Sequence, residues 1–119
     1  MKGIYAVFFE IEGKTIEIGA LGDKEFKSGT YVYIGSAMNG VEKRVKRHYS
    51  NEKKKHWHID YFSEEASPVY TIVFPLPSEF ECILARTVSE ENEDIDGFGS
   101  SDCRCNSHLY RIGDKGLLG

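Results

Sequence analysis

Residues 3–11, GIYAVFFEI, constrain this chain more than any other stretch. Side chains of an extended strand alternate between two faces. Here Tyr5, Val7, Phe9 and Ile11 fall on one face, and Ile4, Ala6 and Phe8 on the other. A strand that is apolar on both sides needs cover on both sides, so this segment belongs inside a sheet with layers above and below. Residues 30–35, TYVYIG, are β-branched and aromatic and supply a second such strand. The 119 residues are 40% hydrophobic, enough for one core and too apolar for a disordered segment. A single domain over 1–119 is expected.

The rest of the chain reads as short elements. Glu12-Gly13-Lys14 marks a turn, and residues 15–18 return as a short partner strand. Gly19, Gly22 and Gly29 lie among charges, which suggests a loop over 19–29. At 40–49 the period changes: Val41 and Val45 form an apolar seam, with Arg44 and His48 on a neighbouring stripe four apart, so a helix is expected. Residues 50–55 read as an exposed connection, and 56–62 as either a short helix or irregular chain. Residues 69–74 form a strand halted by Pro75 and Pro77. Ser78 and Glu81 have capping-box spacing ahead of a helix through Val88. The acidic stretch 89–96 should be solvated, 97–106 a glycine-rich loop, and 108–112 a last edge strand. Strands precede too few helices for a doubly wound fold, so the expected class is α+β, a small, largely antiparallel sheet flanked by helices.

Several function classes drop out. No window approaches the roughly 18–20 apolar residues of a membrane span. The apolar start is interrupted by Glu10 and has neither a basic leader nor a cleavage-like site, so a cytoplasmic protein without a membrane partner is expected. Three cysteines, with Cys103 and Cys105 separated by one residue, argue against a disulfide scaffold. The net charge of −4 excludes a uniformly basic protein. The distribution differs: Lys43, Arg44, Lys46, Arg47, Lys53, Lys54 and Lys55 crowd around a single acid, Glu52. Such a patch on an acidic body steers polyanions locally.

Three groups of residues could carry chemistry. If the strands at 3–11 and 30–35 are neighbours, Tyr5 and Tyr33 share a face, and the following helix brings Arg44 and His48 beside them. Gly35, lacking a side chain, would let a phosphate approach the backbone, with Ser36 next to it. Read singly, the same residues are packing tyrosines, a bend and a solvated helix face. A second group, His56-Trp57-His58-Ile59-Asp60-Tyr61, would extend a phosphate surface, with Trp57 or Tyr61 stacking on an unpaired base; the plainer reading is a Trp57 anchor with buried histidines. Lys53, Lys54 and Lys55 suit non-specific phosphate contacts, or a solvated turn. The third group, Cys103, Cys105 and His108, has two soft ligands and an imidazole. Zinc motifs more often space cysteines as C-x₂-C, so zinc is not expected here. Cys82 reads as a buried small hydrophobe.

The order GIY at 3–5, YIGS at 33–36, then Arg44 four residues before His48, resembles the GIY-YIG nuclease superfamily. The stretches GTYVYIGSA, HWHIDY and GFGSSDCRCNSHL are similar to a subgroup of unknown function, sometimes joined to DNA-repair glycosylases of the endonuclease III type. The likeness spans Gly3 to about Ile112. It implies hydrolysis of a phosphodiester in nucleic acid, DNA before RNA, with one Mg²⁺ or Mn²⁺. Tyr5 would act as base or water-orienting group, assisted by Tyr33 or His48. Arg44 would hold the phosphate and a helical glutamate, Glu81 or its neighbour Glu79, the metal. Lys43, Arg47, Lys53–Lys55, His56 and His58 would contact nucleic acid. Members of that superfamily usually hold the two tripeptides closer together, whereas Tyr5 and Tyr33 are 28 positions apart, so the hairpin and loop at 12–29 would have to be accommodated without separating the strands. The alternatives are a binding module for nucleic-acid structure that assists a repair enzyme, and a small zinc-stabilised interaction domain.

Overall fold

The computed structural model describes residues 2–50, 54–55, 57–99 and 105–113. These run in the order β1 (Gly3–Ile11), β2 (Lys14–Glu17), a 3₁₀ turn at Gly19–Leu21, β3 (Asp23–Phe26), β4 (Gly29–Ala37), α1 (Val41–Tyr49), α2 (His58–Glu65), β5 (Ser67–Phe74), α3 (Phe80–Ser89), β6 (Glu93–Asp94) and β7 (Leu109–Gly113). The main sheet has five strands in the order β5-β1-β4-β7-β6, every pair antiparallel. Helices cover both faces, so the chain is α+β.

β1 is central, as its two apolar faces require. Tyr5, Val7, Phe9 and Ile11 pack with Val41, Ile59 and Phe62 from α1 and α2. Ile4 and Ala6 pack with Ala85 of α3, with Leu84 and Val88 alongside. Phe62 is the hub of the first layer, its ring 5.4 Å from Phe9 edge-on, 5.0 Å from Phe26 and 5.4 Å from Tyr31.

Three elements differ from the sequence reading, and one open reading is decided. β2 does not pair with β1; it forms a separate two-stranded sheet with β3, which occupies the expected loop. The reason is hydrogen bonding: β4 and β5 take both edges of β1. Ile16 and Phe26 then bury the hairpin against the first layer. Residues 108–112 do not form an edge, because Glu93 and Asp94 from the acidic stretch add β6 outside β7. Of the two readings for 56–62, the helix holds from His58 as α2, with the Asp60 carboxylate accepting the Trp57 N–H at 3.0 Å. Ser78 does not cap α3 with its hydroxyl. Backbone carbonyls of Pro77 and Ser78 accept the first N–H groups instead, which leaves the Glu81 side chain to reach elsewhere. No helix among the described residues is long and apolar enough to cross a membrane.

Candidate active site

β1 and β4 pair without interruption from Gly3↔Ala37 to Ile11↔Gly29, which sets Tyr5 opposite Gly35 and Val7 opposite Tyr33. Tyr5 and Tyr33 therefore share a face, with ring centroids 6.4 Å apart. α1 lies over this face and presents His48 to both rings, 5.3 Å from Tyr5 and 5.7 Å from Tyr33. The Tyr5 hydroxyl and His48 Nε2 are 2.7 Å apart. Gly35 makes that contact possible: a Cβ there would stand 2.6 Å from the Tyr5 oxygen, well inside contact distance. The space expected to admit a phosphate is filled by the Tyr5 phenol.

The electrostatics of the phenols follow from burial. Tyr5 and His48 are each 1% exposed. Burial pushes the Tyr5 phenol well above its ordinary range; the Arg44 guanidinium pulls the other way without reversing it. Tyr33 is raised by the same cause, reinforced by the charge of Glu81. Both phenols are thus neutral near pH 7. A neutral phenol can donate to His48 Nε2 where the imidazole carries its proton on Nδ1.

Arg44 also donates a long 3.4 Å bond to the Ser36 carbonyl. With Lys43 and Arg47 it borders a cleft of ≈ 260 Å³ beside residues 37–40 of the β4–α1 turn. Arg47 is fixed by a 2.7 Å ion pair to the buried Asp60 and a 2.5 Å bond to the Lys54 carbonyl. Both guanidiniums lie over Trp57, at 4.4 Å for Arg44 and 4.9 Å for Arg47, and the indole is 42% exposed. On the α3 side of the sheet the Ser36 hydroxyl donates to Glu81 Oε1 at 2.5 Å, and His108 Nδ1 stands 3.0 Å from Oε2. Burial raises the Glu81 carboxyl, but hydrogen bonds from His108 and Ser36 and the charges of His108 and Arg44 outweigh it, so the group sits below its ordinary value. Glu79 is exposed just before α3.

The remaining sequence-selected residues are elsewhere. Lys54 is exposed, while Lys55 turns to Glu64 at 2.8 Å and lies over Tyr61 at 5.3 Å. His58 accepts the Gly99 N–H on Nδ1 at 2.9 Å and packs edge-on to Phe98. Lys53, His56 and Cys103 lie outside the described residues. Two residues outside the expected catalytic set support it: Asp60, which orients Arg47, and His108, which meets Glu81. No local pattern joins residues 47 and 60, or 81 and 108.

A family model described as a domain of unknown function matches residues 4–117. The chain belongs to the DUF123 family. No curated protein and no solved structure matches it.

The DUF123 geometry yields two expectations. Replacing Gly35 with Ala forces the Tyr5 phenol aside, an overpacking cost of about 1–3 kcal/mol in urea denaturation. A loss under about 0.5 kcal/mol contradicts the crowding. Separately, burial lowers the His58 pKa below its ordinary 6.5. The folded state then resists the proton that the unfolded chain accepts, so this contribution is full above pH 6.5 and declines as pH falls below it. His58→Asn should flatten the stability profile below pH 6.5, and an NMR titration of His58 should give a midpoint under that value.

Proposed function

We propose that this DUF123 domain is a metal-dependent nuclease of the GIY-YIG type, hydrolysing phosphodiester bonds in DNA. The observation that carries the reading is the Tyr5–His48 hydrogen bond, at 2.7 Å, within the electrostatic reach of Arg44. Two phenols, an imidazole and a guanidinium from β1, β4 and α1 then serve one phosphate. The likeness to a subgroup joined to repair glycosylases supports a place in DNA repair, beside a repair enzyme, in the cytoplasm.

In this reading Arg44 binds the phosphoryl oxygens and stabilises the charge that grows on them, a contribution of several kcal/mol in a preorganised site. Lys43 and Arg47 draw the backbone into the cleft. A water attacks phosphorus as its proton passes to the Tyr5 oxygen, while the Tyr5 proton moves to His48 Nε2. The new P–O bond forms as the bond to the leaving oxygen breaks; that oxygen takes a proton from solvent, to which His48 then returns its own. Tyr33 holds the other side of the imidazole. Trp57, flattened under two guanidiniums, offers a face for an unpaired base.

Glu81, rather than the exposed Glu79, is the carboxylate suited to Mg²⁺ or Mn²⁺. Each Glu81 oxygen has one protein donor and keeps lone-pair capacity. One carboxylate with waters and substrate oxygens is an ordinary donor set for such an ion. When bound, the ion supplies Lewis-acid stabilisation to the phosphoryl and leaving oxygens.

A second reading, a binding module for nucleic-acid structure without cleavage, is favoured by one observation: Tyr5 and His48 are almost wholly buried. A cleavage screen separates the two. Branched and single-stranded DNA are incubated with Mn²⁺ or Mg²⁺ and either wild type or Arg44→Ala. The nuclease reading expects cleavage by wild type and a loss of about 10²–10³-fold in the variant. Equal cleavage by both contradicts it, and salt-sensitive binding with no cleavage under either metal selects the module.

A further inference from the structure

We propose that Cys82, Cys105 and His108 form a zinc site on the α3 side of the sheet, separate from the Arg44 cleft. One ligand atom from each lies within 4.8 Å of the others. They come from three places: Cys82 from the first turns of α3, Cys105 from the segment leading into β7, and His108 from the residue before it. Nothing in the local spacing joins Cys82 to the other two, so the fold itself assembles the group.

The chemistry of the set selects zinc. Two thiolates and an imidazole are soft and borderline donors, which suit Zn²⁺ and are poor partners for Mg²⁺ or Ca²⁺. With metal–ligand bonds of about 2.0–2.3 Å, tetrahedral ligands stand roughly 3.5–3.8 Å apart. Small side-chain rotations close the present spacing to that value. The half-buried cysteines leave a path for the ion, while His108 is buried.

The decisive detail is the other side of the imidazole. His108 Nδ1 is 3.0 Å from Glu81 Oε2 and 3.2 Å from the Ile34 carbonyl. Both neighbours are acceptors, so Nδ1 carries the proton and zinc would bind through Nε2. Zinc-binding histidines are held in this way, with a carboxylate or carbonyl fixing the tautomer. Glu81 is here a positioning residue for His108. The ion would also pin the start of α3 to the entry of β7, and so hold Glu81 against Ser36.

The test uses the full chain, purified under reducing conditions and loaded with Zn²⁺ or Co²⁺. The expected result is stoichiometric zinc that survives gel filtration. The cobalt form should show a thiolate charge-transfer band in the near ultraviolet and strong tetrahedral d–d bands. Cys82→Ser and Cys105→Ser should each weaken the charge-transfer band, whereas Glu81→Gln should keep it and lower zinc affinity about 10–100-fold. The wild-type spectrum decides the matter even where a variant fails to fold. A pale octahedral cobalt spectrum, or zinc lost on gel filtration, overturns the proposal. So does a Cys82–Cys105 disulfide found by mass spectrometry in protein that takes up no zinc once reduced. Any of these failures leaves the nuclease reading intact, because that reading stands on Arg44-dependent cleavage.

Discussion

The organisation of this domain turns on a side chain that is missing. Gly35 faces Tyr5 across the β1–β4 pair, and the Tyr5 phenol occupies the space where a Cβ would stand. Fill that space and the phenol moves, its bond to His48 breaks, and α1 loses one of its polar ties to the sheet. The pairing itself rests on the nine-residue register between β1 and β4, which the β2–β3 hairpin leaves undisturbed by folding outside the main sheet. Hydrogen-bonding capacity explains that arrangement: a strand with both edges occupied cannot accept a third neighbour.

Around the phenol–imidazole pair the polar groups are held by one another. Asp60, wholly buried, is balanced by Arg47 at 2.7 Å and by the Trp57 N–H at 3.0 Å. A buried carboxylate without such donors would be costly, so the helix start, the indole and the guanidinium are bound into one unit. Arg44 and Arg47 keep their charge beside the cleft while stacking on Trp57. Glu81 is anchored from the other side of the sheet by Ser36 and His108. The two faces therefore communicate through the end of β4, where Gly35 serves one and Ser36 the other.

Much of this was legible in the residues. The double-sided apolar pattern of 3–11 required a central strand, and the four-residue step from Arg44 to His48 set both on one side of α1. Burial of the phenols was not legible, because it depends on how closely α1 packs on the sheet, and it raises the Tyr5 pKa. The separate β2–β3 sheet was hidden by glycines that suggest a loop, since strand pairing depends on which edges are vacant. The capping-box spacing at Ser78 pointed to a local role for Glu81. The long-range donors Ser36 and His108 claimed its carboxylate instead. Cys82 passed as packing for the same reason: its neighbours are 23 and 26 residues on and adjacent only in the folded chain.

In the proposed nuclease, Tyr5 and His48 act as one proton-handling unit. Single-turnover cleavage by Tyr5→Phe, His48→Asn and the double variant tests it most directly. Each single change should slow cleavage by about 10²–10⁴-fold, and the double variant should be no slower than the worse single. Losses that multiply in the double variant, or a wild-type rate in either single one, would contradict it.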